Sequence, residues 1–307
     1  MIWIKQAYVL SQARSATAGN ISSGLLARGF KVRSITGHCE RAKNFPQQVE
    51  VCPYNFEAPR RLEKIFEGAD VFYNTYWVRF PHGDLNFEKA VKNSKILIAA
   101  AKKAGVPRMV NISITNAGTN SHFEYFRGKA LVDQAVMDSG MSYAISRPTV
   151  IFGVEDILVN NIAWLLRKFP VFAIPGDGAY QVQPIFVEDL AEIAIAAGFR
   201  EDNQMIDAVG PEIFSFEQMV VELARRVSRR TLIVHLRPEI FIMLTRFLNP
   251  LVKDIILTRD EVYGLMANLL VSKQKPTGKT KFTSWLEPNK DNIGRKYASE
   301  LQRHYLE

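Results

Sequence analysis

Short apolar runs rich in β-branched residues alternate with amphipathic segments along the first half of the chain. Helical periodicity lies between most of the runs, and three helical segments stop at Gly29, Gly68 and Gly105, as glycine favours. This alternation predicts a parallel sheet covered by helices on both faces, with ligands bound at the carboxyl ends of the strands. The runs predict strands at Ala7–Ser11, Lys31–Ile35, Val49–Cys52, Val71–Asn74, Arg108–Ile114 and Ser142–Arg147.

The pattern changes after Gly153. A helical segment, EDILVNNIAWLLRKF, leads to a glycine-rich turn, a strand at QVQPIFV, the helix EDLAEIAIAAG and a strand at QMIDAV. Two reciprocal helix caps are predicted at Ser215/Gln218 and Thr258/Glu261, and the final third is mostly helical apart from the strand TLIVHL. These elements predict a smaller, mainly helical lobe beside the sheet.

Composition narrows the function classes. The 307 residues are 47% hydrophobic and 23% charged, and no run of 18 apolar residues lacks charge, so we expect a globular cytoplasmic protein without a membrane span or signal peptide. Cys39 and Cys52 predict neither a disulfide framework nor a metal site. The net charge of +8 is dispersed. Since no aromatic or motif pattern accompanies this charge, we expect no nucleic-acid partner. The positive charge is then explained by an anionic cofactor or by an ordinary basic surface.

The segment YFRGK places Tyr125 and Lys129 one helical turn apart. Ser121 and Glu124 have the spacing of a capping box, which predicts that this helix starts at Ser121 and runs to about Ser139, where Gly140 stops it. The strand before it ends in VNISIT, which puts Ser113 beside the helix start. Tyr-x-x-x-Lys alone is common by chance, so its meaning depends on its flanks.

Four features occur in order: Ser113 ahead of Tyr125-x-x-x-Lys129, then RPTVIFG, then GDGAYQVQPIFVEDLAEIA, and the element order itself. Together they resemble the extended or atypical short-chain dehydrogenases/reductases. YNTYWVRF is similar to the NAD(P)-binding epimerase/dehydratase-like group related to the Rossmann-fold accessory subunit of respiratory complex I. The resemblance implies a Rossmann doubly wound parallel sheet with helices on both faces, an NAD(P)-binding core formed by residues 1–153 and about 181–210. It also implies a smaller, mainly helical substrate-covering lobe formed by residues 154–180 and 211–307.

The resemblance implies a Ser-Tyr-Lys catalytic site of Ser113, Tyr125 and Lys129, with Thr115 as an alternative to Ser113. A phenol has a pKa of about 10, and a nearby cation lowers it toward the range where it exchanges protons near neutral pH. In the family the lysine also holds the nicotinamide ribose. The implied activity is an NAD(P)-dependent oxidoreductase or epimerase/dehydratase acting on a small hydroxyl or carbonyl substrate.

The opening turn departs from the family, whose three glycines approach the pyrophosphate. Gln12, Ser15 and Ala18 stand at those positions. Three explanations remain open: the loop binds dinucleotide in an altered shape, with donors from Ser11 and Ser15 and charge from Arg14; cofactor binding is lost; or the opening residues are aberrant.

The cofactor expected is NADP, with NAD as the alternative. SITGHCERAK after the second strand lacks an acid at the strand end and carries His38, Arg41 and Lys43 instead, which favours a 2′-phosphate over a free ribose hydroxyl. A solvated basic loop explains the same residues. Further candidates for cofactor binding are Asn55, Asn74, Thr75, Pro148 and Val150. Two interpretations remain for the residues after the fourth strand, namely contact with the substrate or packing in the protein interior: Tyr76, Trp77 and Arg79.

Two other functions stay open beside the enzyme. One is a regulator that holds dinucleotide without turnover, and the other is an assembly or structural subunit that keeps the fold. The segment PEIFIMLTRFLNPL is apolar around much of its circumference, so docking on a protein or on a membrane surface is a further possibility beside burial in the core. We expect a small-molecule substrate and a monomer or homodimer.

Overall fold

The computed structural model of the chain describes residues 6–10, 16–37, 47–227 and 231–301, with backbone alone for 6–10 and 251. The strands are β1 Gln6–Leu10, β2 Lys31–Thr36, β3 Val49–Pro53, β4 Val71–Asn74, β5 Arg108–Ile112, β6 Ser142–Pro148, β7 Ile151–Phe152, β8 Val171–Pro175, β9 Gln181–Val182, β10 Ile185–Phe186, β11 Gln204–Ala208, β12 Phe214–Ser215 and β13 Leu232–Leu236. The helices are α1 Ala16–Ala27, α2 Pro59–Phe66, α3 Phe87–Lys103, α4 Glu124–Met137, α5 Leu158–Lys168, α6 Val187–Gly198, α7 Phe216–Val227, α8 Pro238–Val252, α9 Arg259–Met266 and α10 Phe282–Asn289.

The main sheet is the frame of the first half of the chain. Within the described residues it has seven strands in the order β3-β2-β1-β4-β5-β6-β11, and the pairings from β3 through β6 are parallel. The strand order reverses between β1 and β4, which pair with Leu10 opposite Asn74 at their carboxyl ends. In a doubly wound sheet, this reversal opens the crevice in which ligands bind.

Apolar side chains cover both faces of this sheet. One cluster joins α2, α3 and α4 to the sheet through residues such as Leu62, Phe72 and Leu97. The other joins α1 and α6 to the opposite face through residues such as Ile21, Tyr73 and Ala194. Helices on both faces explain why the strands are near-continuous apolar runs, since each side of the sheet is buried.

The described residues divide into two compact units. The first runs to Arg147 and includes Leu190–Ile206, and the second contains Pro148–Asp189 and the residues from Asp207 onward. The second unit has its own core, in which Phe152, Leu223 and Trp285 are buried, and its short strands pair as β7 with β10, β9 with β12 and β8 with β13. The functional domain boundaries predicted from the sequence stay a prediction. No helix in the described ranges is long and apolar enough to cross a membrane.

Most local signals in the sequence are confirmed. Gly29, Gly68, Gly105 and Gly140 all have positive φ after their helices. Both predicted caps of the second unit form reciprocally: Ser215 with Gln218, and Thr258 with Glu261.

The predicted capping box of α4 is wrong. The helix begins three residues later, at Glu124, and its N-cap residue Phe123 makes no side-chain cap. The hydroxyl of Ser121 instead accepts a hydrogen bond from the Phe123 N–H, 3.2 Å away, while Arg127 donates to the Ser121 carbonyl. Because Ser121 is used in this local turn, it is not available to the helix.

Leu62 provides a test of the sheet's core. It is fully buried against the sheet, whereas Leu131 on α4 is 39% exposed. We expect Leu62→Ala to lower the free energy of unfolding by about 2–5 kcal/mol, because it leaves a cavity. The matched control Leu131→Ala should cost less than about 1 kcal/mol. Urea denaturation measures both, and equal losses would contradict the packing described.

Candidate functional site

Lys129 lies on the face of α4 that packs against the sheet, and only 6% of the residue is exposed. Its ammonium donates a hydrogen bond to the carbonyl of Ile112, the last residue of β5, over 2.9 Å. Burial lowers the pKa of Lys129 to about 7, although the Asp133 carboxylate acts in the opposite direction. Lys129 therefore stands at the carboxyl end of a central strand and changes its charge near neutral pH.

The indole of Trp77 lies beside Lys129, with the ammonium 4.9 Å from the ring centroid. Gly128 makes this approach possible: a β-carbon there would lie 2.7 Å from the tip of the indole. Trp77 follows β4, so the missing side chain lets the β4 connection pack directly on the α4 backbone. A cation over an aromatic face is attracted by the ring quadrupole.

Tyr125 is half-buried one turn before Lys129 and contacts the same indole. Its ring meets Trp77 and Phe87 edge-on, each at 5.9 Å between centroids, and Trp77 and Phe87 stack on each other. The two residues of the predicted pair therefore share Trp77 as a neighbour, on one face of α4.

Behind Lys129, a buried polar network ties α4 to three strands. Asp133 is 1% exposed and accepts hydrogen bonds from Asn111 at 3.0 Å and from Arg147 at 3.0 and 3.2 Å. Asn111 in turn accepts a bond from the Asn74 amide at 2.7 Å. Burial raises the pKa of Asp133, and the nearby Ser113 hydroxyl, Arg147 and Lys129 oppose that rise.

Two hydroxyls after β5 have different environments. Thr115 donates to the Arg147 carbonyl over 2.8 Å, so its hydroxyl serves the fold. The Ser113 hydroxyl lies close enough to Asp133 to influence its pKa, but outside hydrogen-bond geometry. Among the described residues, the buried Ser113 Oγ, Thr75 Oγ1 and Trp77 Nε1 have no hydrogen-bond partner. Buried polar groups of this kind at strand ends suit a polar ligand. The choice of Ser113 rather than Thr115 as the reactive hydroxyl stays a prediction.

The remaining predicted cofactor residues fall into three groups. Asn55 is exposed after β3, where its side chain accepts from the Glu57 N–H, and the Asn74 side chain is engaged by Asn111 and the Tyr76 N–H. Pro148 and Val150 are buried in the second unit. The candidates of the opening turn and of the loop after β2 lie outside the described residues, namely Ser11, Gln12, Arg14, Ser15, His38 and Arg41.

Tyr76 and Arg79 are engaged by neighbours. The hydroxyl of Tyr76 accepts a bond from Asn93 at 2.8 Å, and its ring packs on Tyr54 and Phe56. Arg79 lies over the Phe80 ring. Tyr76, which the sequence places either at the substrate or in the interior, therefore packs in the interior of the first unit.

Sequence reasoning missed Asp133, Arg147, Asn111 and Gly128. Asp133 follows Lys129 by four residues, the spacing of helix neighbours, and this signal was present in the sequence. Gly128 was a weaker signal: a glycine inside a helix costs about 1 kcal/mol relative to alanine and often marks a close packing contact. The roles of Arg147 and Asn111 depend on side-chain contacts that the sequence does not encode locally.

Residues 13–155 match the protein family described as NAD(P)H-binding. The match confirms the predicted kind of domain and the predicted nicotinamide dinucleotide cofactor.

Curated relatives support the same resemblance. The chain is 25% identical over 179 residues to the mitochondrial NADH dehydrogenase (ubiquinone) 1 alpha subcomplex subunit 9 of Arabidopsis thaliana, across 55% of this chain and 44% of that relative. It is 24% identical over 186 residues to the photosystem II assembly factor Ycf39 of Cyanidium caldarium, across 60% of this chain and 59% of the relative. The chain thus spans about half the length of the curated relatives it matches.

A solved structure confirms the fold class. The NADPH-dependent quinone oxidoreductase QOR2 of Escherichia coli, crystallised with NADPH, is similar with a TM-score of 0.75. The match covers 92% of this chain and 99% of that chain at 15% identity. At this identity the likeness concerns the fold alone, and it agrees with the doubly wound sheet.

The pKa of Lys129 predicts a pH dependence of stability. Lysine titrates at 10.5 when unfolded and at about 7 here, so between these values the unfolded chain binds more protons and stability rises with pH. We expect the free energy of unfolding of the wild type, relative to Lys129→Met, to rise by ~3 kcal/mol between about pH 7 and 9.5. Denaturation across this range measures it.

The exposed lysine Lys95 of α3 is the control for this experiment. A Lys95→Met variant should follow the wild-type curve at every pH. If the Lys129→Met curve also runs parallel to the wild type, Lys129 keeps its ordinary pKa and the burial argument fails.

Proposed function

We propose that the chain is an NAD(P)-dependent enzyme of the oxidoreductase or epimerase/dehydratase type, acting on a small hydroxyl or carbonyl compound through Ser113, Tyr125 and Lys129. The observation that carries the proposal is the buried Lys129 ammonium at the end of β5. A charge that burial disfavours so strongly is costly to the fold, and shifted pKa values are concentrated at functional sites.

When bound, a nicotinamide dinucleotide would supply or accept a hydride, and Lys129 would hold its ribose hydroxyls. While protonated, Lys129 favours the Tyr125 phenolate. Tyr125 exchanges a proton with the substrate oxygen, and the Ser113 hydroxyl orients that oxygen. Asp133 stabilises the positive charge of Lys129, and its bonds to Asn111 and Arg147 fix the position of this part of α4.

A second candidate is a dinucleotide-binding subunit or assembly factor without turnover. Two observations favour it: the curated relatives carry the names of a respiratory-complex subunit and an assembly factor, and the Tyr125 ring packs against Trp77 and Phe87. A packed phenol serves a scaffold as well as an enzyme. One of these relatives is named as mitochondrial, so a cytoplasmic location stays a prediction for this chain.

Tyr125→Phe tests the chemistry. We expect it to lower turnover by ~10²–10⁴-fold while leaving cofactor affinity nearly intact, because the hydroxyl is needed only for proton transfer. The probes are a para-quinone, an aromatic aldehyde and UDP-glucose, each with NADPH and with NAD, followed by cofactor absorbance and product analysis. Tyr143→Phe, a partly buried tyrosine on β6, is the matched control and should keep full activity.

The two candidates give different outcomes in this assay. NADPH binding without turnover of any probe assigns the chain to the second candidate. Turnover that survives in Tyr125→Phe contradicts the assigned role of Tyr125.

Cofactor preference is a separate prediction. With His38, Arg41 and Lys43 after the second strand and no acid at its end, we expect NADP(H) to bind roughly tenfold, or about 1.4 kcal/mol, more tightly than NAD(H). Calorimetric titration with both cofactors measures the ratio. An Arg41→Glu/Lys43→Glu variant should remove the preference, and equal affinities in the wild type would show that these residues form only a solvated loop.

A further inference from the structure

Helix α8 carries an outward apolar stripe. Ile240, Met243, Leu244 and Phe247 follow one another at the spacing that aligns side chains along one helix face. They are 45%, 55%, 40% and 74% exposed, respectively. We call these four residues the α8 stripe.

The packing of α8 in its own unit does not account for the stripe. Phe241 and Thr245, which point to the other side of the helix, are buried at 9% and 4% exposure. The helix therefore already has a buried side, and the stripe is additional. Single exposed apolar residues are normal on protein surfaces, but a contiguous exposed set marks an interaction site.

The exposed charges on α8 and at its two ends are mostly positive. Arg237 precedes the helix, Arg246 lies on it and Lys253 caps its end, and all three are exposed. The one acid in the α8 sequence, Glu239, accepts a hydrogen bond from the Tyr263 hydroxyl at 2.9 Å. Long basic side chains can lie along apolar surface while their charged ends reach toward phosphate groups.

We infer that the α8 stripe docks on an anionic lipid bilayer, with the helix lying in the plane of the interface. The 15 residues of α8 are too short to span a bilayer, which takes about 20 residues. A stripe without hydrogen-bonding groups, rimmed by cations, complements a surface that is apolar beneath a layer of phosphates.

The test is flotation of the full chain with two kinds of vesicle: phosphatidylcholine alone, and phosphatidylcholine mixed with phosphatidylglycerol. We expect binding to the mixed vesicles and at least tenfold weaker partitioning of the variant Met243→Ser/Phe247→Ser. The control Met205→Ser/Phe199→Ser changes the same residue types at exposed positions of the first unit and should bind like the wild type. The single variant Phe247→Ser repeats the test if the double variant fails to fold.

A charge arm and a self-association arm complete the design. Arg246→Glu/Lys253→Glu should weaken binding to the mixed vesicles by at least fivefold and leave the stripe unchanged. Absence of binding to both vesicles, or equal loss in the stripe and control variants, overturns the inference. The inference is also overturned if sedimentation velocity shows that the wild type is a dimer and the stripe variant a monomer, since the stripe is then the interface with a second copy of the chain. These results do not depend on cofactor binding or turnover.

Discussion

The buried charges of α4 are the constraint on which the first unit depends. An ammonium and a carboxylate enter the interior on the same helix face, and each is disfavoured there unless neighbours compensate it. Lys129 is compensated by the Ile112 carbonyl and the Trp77 face, and Asp133 by Asn111 and Arg147. Because those partners come from β5, the β4 connection and the end of β6, α4 has little freedom in where it can dock.

The same constraint links the fold to the candidate chemistry. Fixing α4 against the strand ends also fixes Tyr125, since it lies one turn before Lys129 on a rigid element. The Asn74–Asn111–Asp133 chain crosses from β4 through β5 to the helix, so hydrogen bonds hold a row of polar side chains near the carboxyl ends of these strands. Such a row can serve a cofactor site in an enzyme or in a non-catalytic subunit, which is why turnover rather than structure separates the two proposals.

Local rules predicted much of the fold and less of the site. Apolar periodicity located the strands of the main sheet, and glycine signals located helix ends, because these depend on neighbours in sequence. QVQPIFV was predicted as one strand, but Pro184 has no N–H for a ladder and Gln183 bonds elsewhere, so β9 and β10 pair with different partners. The helix spacing of Tyr125 and Lys129 was readable in the same way. Arg147 reaches Asp133 from a different strand, and no local pattern encodes that contact.

Gly128 has a mechanical consequence. With no side chain between them, the Trp77 indole and the α4 backbone are in direct contact. A movement of the indole would therefore press directly on the helix turn that carries Lys129 and Tyr125. The absence of one methyl group thus sets how closely the β4 connection is joined to the helix that carries these two residues.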